Sequence, residues 1–200
     1  MKILKKLYDW VLHWAETPYG PLALFLLALA ESSFFPIPPD PLLIALCLGA
    51  VKKSWRFALI TSVASVIGGI FGYLIGKELW AIEGVRNFFF TYIPGFNTEI
   101  FEIFQENYRR YGFWYVFSAG FTPIPYKVFT IASGWLELNF FKFLLASSIS
   151  RSLRFFAVAA LFRKFGPGIK SFIDKYFSWL ALLFLLLLIG GFLVVKFLIK

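Results

Sequence analysis

Pro36-Ile37-Pro38-Pro39-Asp40-Pro41 interrupts an apolar stretch running from Pro21 to Ala50, and Pro123-Ile124-Pro125-Tyr126-Lys127 interrupts a second one, Tyr111 to Leu136. A helix carrying several prolines within a few residues loses its hydrogen-bond ladder at that point. Bare backbone is costly in hydrocarbon, so a break at membrane depth needs protein or water around it. Each broken stretch therefore reads either as a kinked spanning helix or as a re-entrant hairpin, two half-helices meeting near the midplane. The arms are about 9–15 residues long, enough for half a bilayer and short for a whole one.

The two stretches also match one another. Pro36 through Ala45 aligns without gaps against Pro123 through Ala132, an offset of 87 residues. The likeness continues through Gly49 and Ser54-Trp55-Arg56-Phe57 against Gly134 and Asn139-Phe140-Phe141-Lys142-Phe143. Each half reads as a Pro-Ile-Pro tip, a half-helix, a short polar turn and a spanning helix. One full span separates the two hairpins, so they enter from opposite faces and form an inverted repeat, the layout of many secondary transporters.

Composition agrees that the solvent is lipid. Hydrophobic residues make up 60% of the 200 residues and charged ones 16%, with 27 Phe, against about 45–50% apolar and about 25% charged in soluble domains. The expected fold is an all-α integral membrane protein with this inverted repeat and an extra C-terminal transmembrane helix. An amphipathic interfacial helix covers residues 1–19, interrupted by Asp9, His13 and Glu16, so no cleavable signal peptide is expected. The membrane domain covers 20–165, with hairpins at about 20–50 and 111–137, spans at about 56–78 and 140–162, and surface helices at about 80–110. A C-terminal transmembrane helix covers 176–199.

The net charge of +9 sits at the borders of apolar runs, where it orients helices. Membrane lipids, and not nucleic acid, are the expected partners. With hairpins, the N-terminal lysines, Lys52-Lys53-Arg56 and Arg163-Lys164-Lys170-Lys175 share one side, and Lys77 to Arg110 lies opposite. That positive-inside pattern puts the N-terminus on the cytoplasmic side, and the expected location is the inner (plasma) membrane, as a multi-pass protein. Cys47 is alone, which removes an intrachain disulfide. No cofactor, metal cluster or catalytic triad is expected, His13 reads as a surface residue, and nothing nominates an enzyme. Gly68, Gly69, Gly72 and Gly76 offer a close helix-packing face.

Five ionisable residues fall inside the apolar stretches: Glu31, Asp40, Lys127, Arg151 and Arg154. Each costs roughly 2.5–3.5 kcal/mol at a helix centre, so each needs a partner or an aqueous cavity. Asp40 and Lys127 hold equivalent repeat positions with opposite sign, and the inverted pairing is expected to bring them together. Arg151 and Arg154 are three apart on one helix face. The set reads either as a static ion-pair lock or as a charged site for an anionic headgroup or a proton relay. Three cations against two carboxylates leave one positive charge that a phosphate satisfies.

These residues resemble the DedA family of membrane proteins, also described as SNARE-associated or VTT domain proteins, and within it the YqaA-like branch. Glu31-Ser32-Ser33-Phe34-Phe35-Pro36-Ile37-Pro38-Pro39-Asp40-Pro41-Leu42-Leu43 is similar to the family's Glu followed by a Pro-Gly-Asp/Glu-x-Leu-Leu tip. Gly120-Phe121-Thr122-Pro123 to Gly134 is similar to its Arg-x-x-Pro-x-x-Arg segment, with Gly120 at the first arginine and Tyr126, next to Lys127, at the second. The resemblance implies two re-entrant hairpins and lipid movement across the bilayer. Bacterial members are linked to undecaprenyl-phosphate recycling and the proton-motive force, and eukaryotic relatives to phospholipid scrambling. A lipid transporter is thus the leading expectation, with protons as a further partner. A proton-coupled exchanger of small cations and a non-transporting scaffold are the alternatives. Homo-oligomerisation stays open.

Overall fold

The computed structural model describes residues 17–92, 97–122 and 124–166. The expected helices at 1–19 and 176–199, and the Pro123 tip, lie outside them wholly or nearly so. Among the described residues every regular element is helical: α1 (Gly20–Ser33), α2 (Asp40–Gly49), α3 (Ser54–Ala81), α4 (Glu83–Tyr92), α5 (Thr98–Phe121), α6 (Tyr126–Trp135) and α7 (Phe140–Phe165). A 3-10 turn, Val51–Lys53, leads into α3.

The prolines act as helix starts. Pro21 and Pro41 occupy the first turns of α1 and α2, and Pro39 and Pro125 are the N-cap residues of α2 and α6. A first-turn residue needs no amide hydrogen for the ladder, which is why proline fits there. Pro36 and Pro123, which follow within three residues, disfavour helix on their N-terminal side, and α1 stops at Ser33 and α5 at Phe121.

Among the described residues, two helices are long and apolar enough to cross a membrane: Val51–Ala81, counting its 3-10 start, and Phe140–Phe165. At 28 and 26 residues, α3 and α7 extend about 40 Å each, more than the ~30 Å hydrocarbon core. The 14-residue α1 and 10-residue α2 reach only about 21 and 15 Å.

The long helices run antiparallel. At one end Phe57 of α3 shares a core with Phe155 and Phe162 of α7, joined by Leu24, Leu27, Leu42 and Leu43 from α1 and α2. Arg163 Nη1 donates to the Lys52 carbonyl there at 3.2 Å. At the other end Tyr73 lies 5.5 Å from Phe140 and 5.1 Å from Phe143, ring to ring. That second core includes Tyr108, Val116 and Tyr126 from α5 and α6. Between the two, buried polar residues line both long helices: Thr61, Ser62 and Ser65 on α3, and Ser147, Ser150 and Arg151 on α7.

The short helices lean on the glycine stripe of α3, as the spacing predicts. A Cβ on Gly68 would meet the Leu29 carbonyl of α1, and one on Gly76 the Ile131 carbonyl of α6. One boundary differs from expectation: α5 runs unbroken from Thr98 to Phe121, joining the expected surface segment to the first arm of the second broken stretch. Asn97 caps its start by accepting from Ile100 N at 2.8 Å. No proline follows until position 123. Tyr108 is buried while Glu102, Glu106, Arg109 and Arg110 are exposed, so one amphipathic helix satisfies both environments.

Candidate functional site

Where α1 and α5 end, their last carbonyls lose intrahelical partners. Phe34 N and Phe35 N both donate back to the Ala30 carbonyl, at 2.9 and 2.8 Å. The exposed carbonyls of the two breaks are met by cations and hydroxyls from other elements. Lys127 Nζ, from the first turn of α6, donates to the Phe35 carbonyl at 2.9 Å. Thr130 Oγ1 donates to the Ser32 carbonyl at 3.2 Å. Arg154 Nη1, from α7, donates to the Thr122 carbonyl at 2.7 Å. Positive charge at helix C-termini complements the helix dipole, so each break is closed by groups from elsewhere in the chain.

Two ion pairs complete the cluster. Arg151 Nη2 donates to Glu31 Oε2 at 2.8 Å, with the arginine side chain 3% and the carboxylate 13% exposed. Arg151 also donates through Nε to Ser65 Oγ and through Nη2 to Ser32 Oγ at 3.4 Å. Its guanidinium carbon stands 4.7 Å from the Tyr126 ring centre and 4.6 Å from that of Phe155, a pair of cation–π contacts. Arg154 Nη2 donates to both oxygens of Asp40 at 3.0 Å, and these side chains are 20% and 22% exposed. Asp40 begins α2, where a negative charge is favoured by the helix dipole.

All five sequence-predicted residues are thus brought together, but not in the expected pairing. Asp40 does not pair with Lys127: its partner is Arg154, and Lys127 instead holds the Phe35 carbonyl. The repeat alignment reaches α7 only as far as Phe143, short of Arg151 and Arg154, so it carries no information about the two residues that pair with the carboxylates. Among the described residues, Lys127 has no carboxylate within ion-pair distance. Of the tip prolines, Pro36, Pro38 and Pro125 are exposed and Pro39 is buried.

Sequence reasoning missed Ser32, Ser65, the Thr122 carbonyl and Phe155, which contact the arginines, and Thr130, which holds the Ser32 carbonyl. Ser62, Ser65, Gly68, Gly69, Gly72 and Gly76 sit at three- and four-residue spacings on α3, and that stripe was readable only as packing. Gly120 and Tyr126, the two positions of the resembling arginine motif, both border Arg151. A Cβ on Gly120 would lie 3.6 Å from Arg151 Cδ.

The VTT domain family matches residues 35–164. A Haemophilus influenzae protein is 38% identical over 161 residues, 80% of this chain and 81% of its own length. A Histophilus somni protein is 34% identical over 183 residues, 90% of this chain and 93% of its own. A Methanocaldococcus jannaschii protein is 28% identical over 137 residues, 68% and 79% of the two chains. No solved structure matches the chain. With both proline-bearing breaks and four of the five charged residues, Asp40, Lys127, Arg151 and Arg154, inside the matched span, the chain belongs to the VTT domain family of DedA-type membrane proteins.

Proposed function

We propose that the chain is a multi-pass plasma-membrane transporter that moves a phosphate-bearing lipid across the bilayer. In this reading α1–α2 and α5–α6 are re-entrant hairpins of an inverted repeat, entering from opposite faces. Supporting this, the α1–α2 pair packs at the Phe57–Phe162 end, the α5–α6 pair at the Tyr73–Phe143 end, and their breaks meet halfway along α3 and α7. Labelling single cysteines at 52 and 163, in a Cys47→Ala background, is expected to modify both from one side of the membrane. Modification from opposite sides would overturn the hairpin reading.

The observation that carries the function is Lys127. Two cations are matched by two carboxylates, and the third holds only a backbone carbonyl in a partly buried position where the breaks meet. A phosphate there gains Lys127 and borders Arg154, whose fork suits phosphate oxygens. Asp40 holds Arg154 in a pair that water reaches, so an incoming phosphate competes with the carboxylate for that fork. The deeper Glu31–Arg151 pair fits the static-lock reading, a fixed wall behind the site.

The test is reconstitution into liposomes with a fluorescent phospholipid and, separately, with undecaprenyl phosphate. Lys127→Gln keeps a polar but shorter side chain and removes the charge, worth about 1.5–3 kcal/mol toward a charged acceptor. Lipid translocation is expected to fall about 10–100-fold with the unfolding midpoint little changed. Wild-type translocation in Lys127→Gln would remove the assignment.

A further inference from the structure

Apart from the charged cluster, a groove of about 420 Å³ opens where α1 begins, α2 ends and α3 begins. Pro21, Leu46, Gly49 and Phe57 are among its walls, and its charged residues among the described ones are Lys53 and Arg56, with no carboxylate among the described lining groups. Both cations are exposed, and among the described residues neither makes an ion pair. The surroundings add positive potential. Lys52 and Arg163 meet at this end, Arg163 lies 5.9 Å above the Trp55 ring, and α3 presents its N-terminus with no side-chain cap. First-turn amides and the helix dipole there favour an anion.

We propose that this groove is a second lipid site, seating the headgroup of an anionic phospholipid with its phosphate between Lys53 and Arg56. Three features select a lipid over a free anion. The groove lies where a helix of spanning length starts, the depth at which headgroups sit. Exposed Leu59 and Val63 follow Arg56 at i+3 and i+7 on the same face of α3, a track that an acyl chain uses and inorganic phosphate does not. The walls Leu46 and Phe57 are apolar and buried, so the pocket is amphipathic in the same sense as its ligand. The site is separate from the Arg151 cluster: Arg56 precedes Ser65 by nine residues, about 14 Å along the helix. It does not depend on transport at the central site.

The experiment is native mass spectrometry of the full chain in detergent, titrated with phosphatidylglycerol or phosphatidylcholine. It is run in wild type and in Lys127→Gln, so the groove is read with the central site disabled. Lys53→Gln with Arg56→Gln is expected to weaken phosphatidylglycerol binding about 30-fold in both backgrounds, leaving phosphatidylcholine unaffected. Lys77→Gln with Lys142→Gln, exposed cations toward the opposite end, is the control and is expected to change binding less than twofold. Raising salt from about 0.05 M to about 0.5 M is expected to weaken wild-type binding, since exposed charges are screened. Three results would overturn the proposal: unchanged binding in the Lys53/Arg56 variant, an equal loss in the control, or salt-independent binding. Full displacement of the lipid by millimolar inorganic phosphate would likewise overturn it, identifying a small-anion site instead.

Discussion

Arg151→Ala is expected to lower stability by about 3–5 kcal/mol, the usual consequence of removing one side of a buried ion pair. The guanidinium is 3% exposed and held by Glu31, Ser65 and Ser32 between two aromatic rings. Its removal leaves the Glu31 carboxylate without a counter-charge and opens a gap between Tyr126 and Phe155. Replacing both partners by neutral groups of similar size is often neutral or better. Arg151→Met with Glu31→Gln is therefore expected to recover most of the loss. Arg154→Ala should cost less, because water reaches the Asp40 pair more readily. Thermal unfolding in detergent micelles measures all three variants. Equal losses for Arg151→Ala and Arg154→Ala would erase the distinction between a fixed wall and an exchangeable pair.

The second large effect is expected at the contact between α3 and α6. A Cβ on Gly134 would sit 1.8 Å from the Tyr73 carbonyl oxygen and 2.8 Å from Lys77 N, and one on Gly76 would sit 1.9 Å from the Ile131 oxygen. The obstacles are backbone atoms, so no side chain can swing aside, and the two helices must separate. Gly134→Val and Gly76→Val should each reach or exceed the ~1–3 kcal/mol typical of overpacking. Gly49 and Gly84 have nothing within 4 Å of such a Cβ. Gly49→Ala and Gly84→Ala should stay within about 0.5 kcal/mol of wild type. Wild-type unfolding midpoints for both valine variants would show that the helices do not approach this closely.

The residues that break helices and the residues too polar for lipid were legible in the sequence, because each violates a local rule. Pro39, Pro41 and Pro125 announce where backbone cannot stay helical, and Glu31, Asp40, Lys127, Arg151 and Arg154 stand out against apolar neighbours. What stayed hidden is which charge meets which. Arg151 reaches Glu31 across 120 residues and Arg154 reaches Asp40 across 114, and such choices depend on how three helices cross. Repeat symmetry pointed to Asp40 and Lys127, but α7 runs past both tips and offers the better fork. The continuity of α5 was hidden for a different reason. Its charges read as an interfacial segment, yet they occupy one face of a helix whose other face carries Phe101 and Tyr108.

The long span between those partners has a consequence for how the protein is made. Synthesis delivers Glu31, Asp40 and the carbonyls of the first break long before Lys127, Arg151 and Arg154 exist. In the re-entrant reading proposed above, until the ribosome has passed residue 154 the α1–α2 pair carries two unmatched carboxylates and unpaired peptide groups, a combination that hydrocarbon rejects. The nascent first half must therefore wait at the water-filled or protein-lined edge of the insertion machinery. It enters the bilayer only when α7 arrives with its counter-charges. Assembly is then decided by residues late in the chain, and a product halted before them has no lipid-compatible resting state.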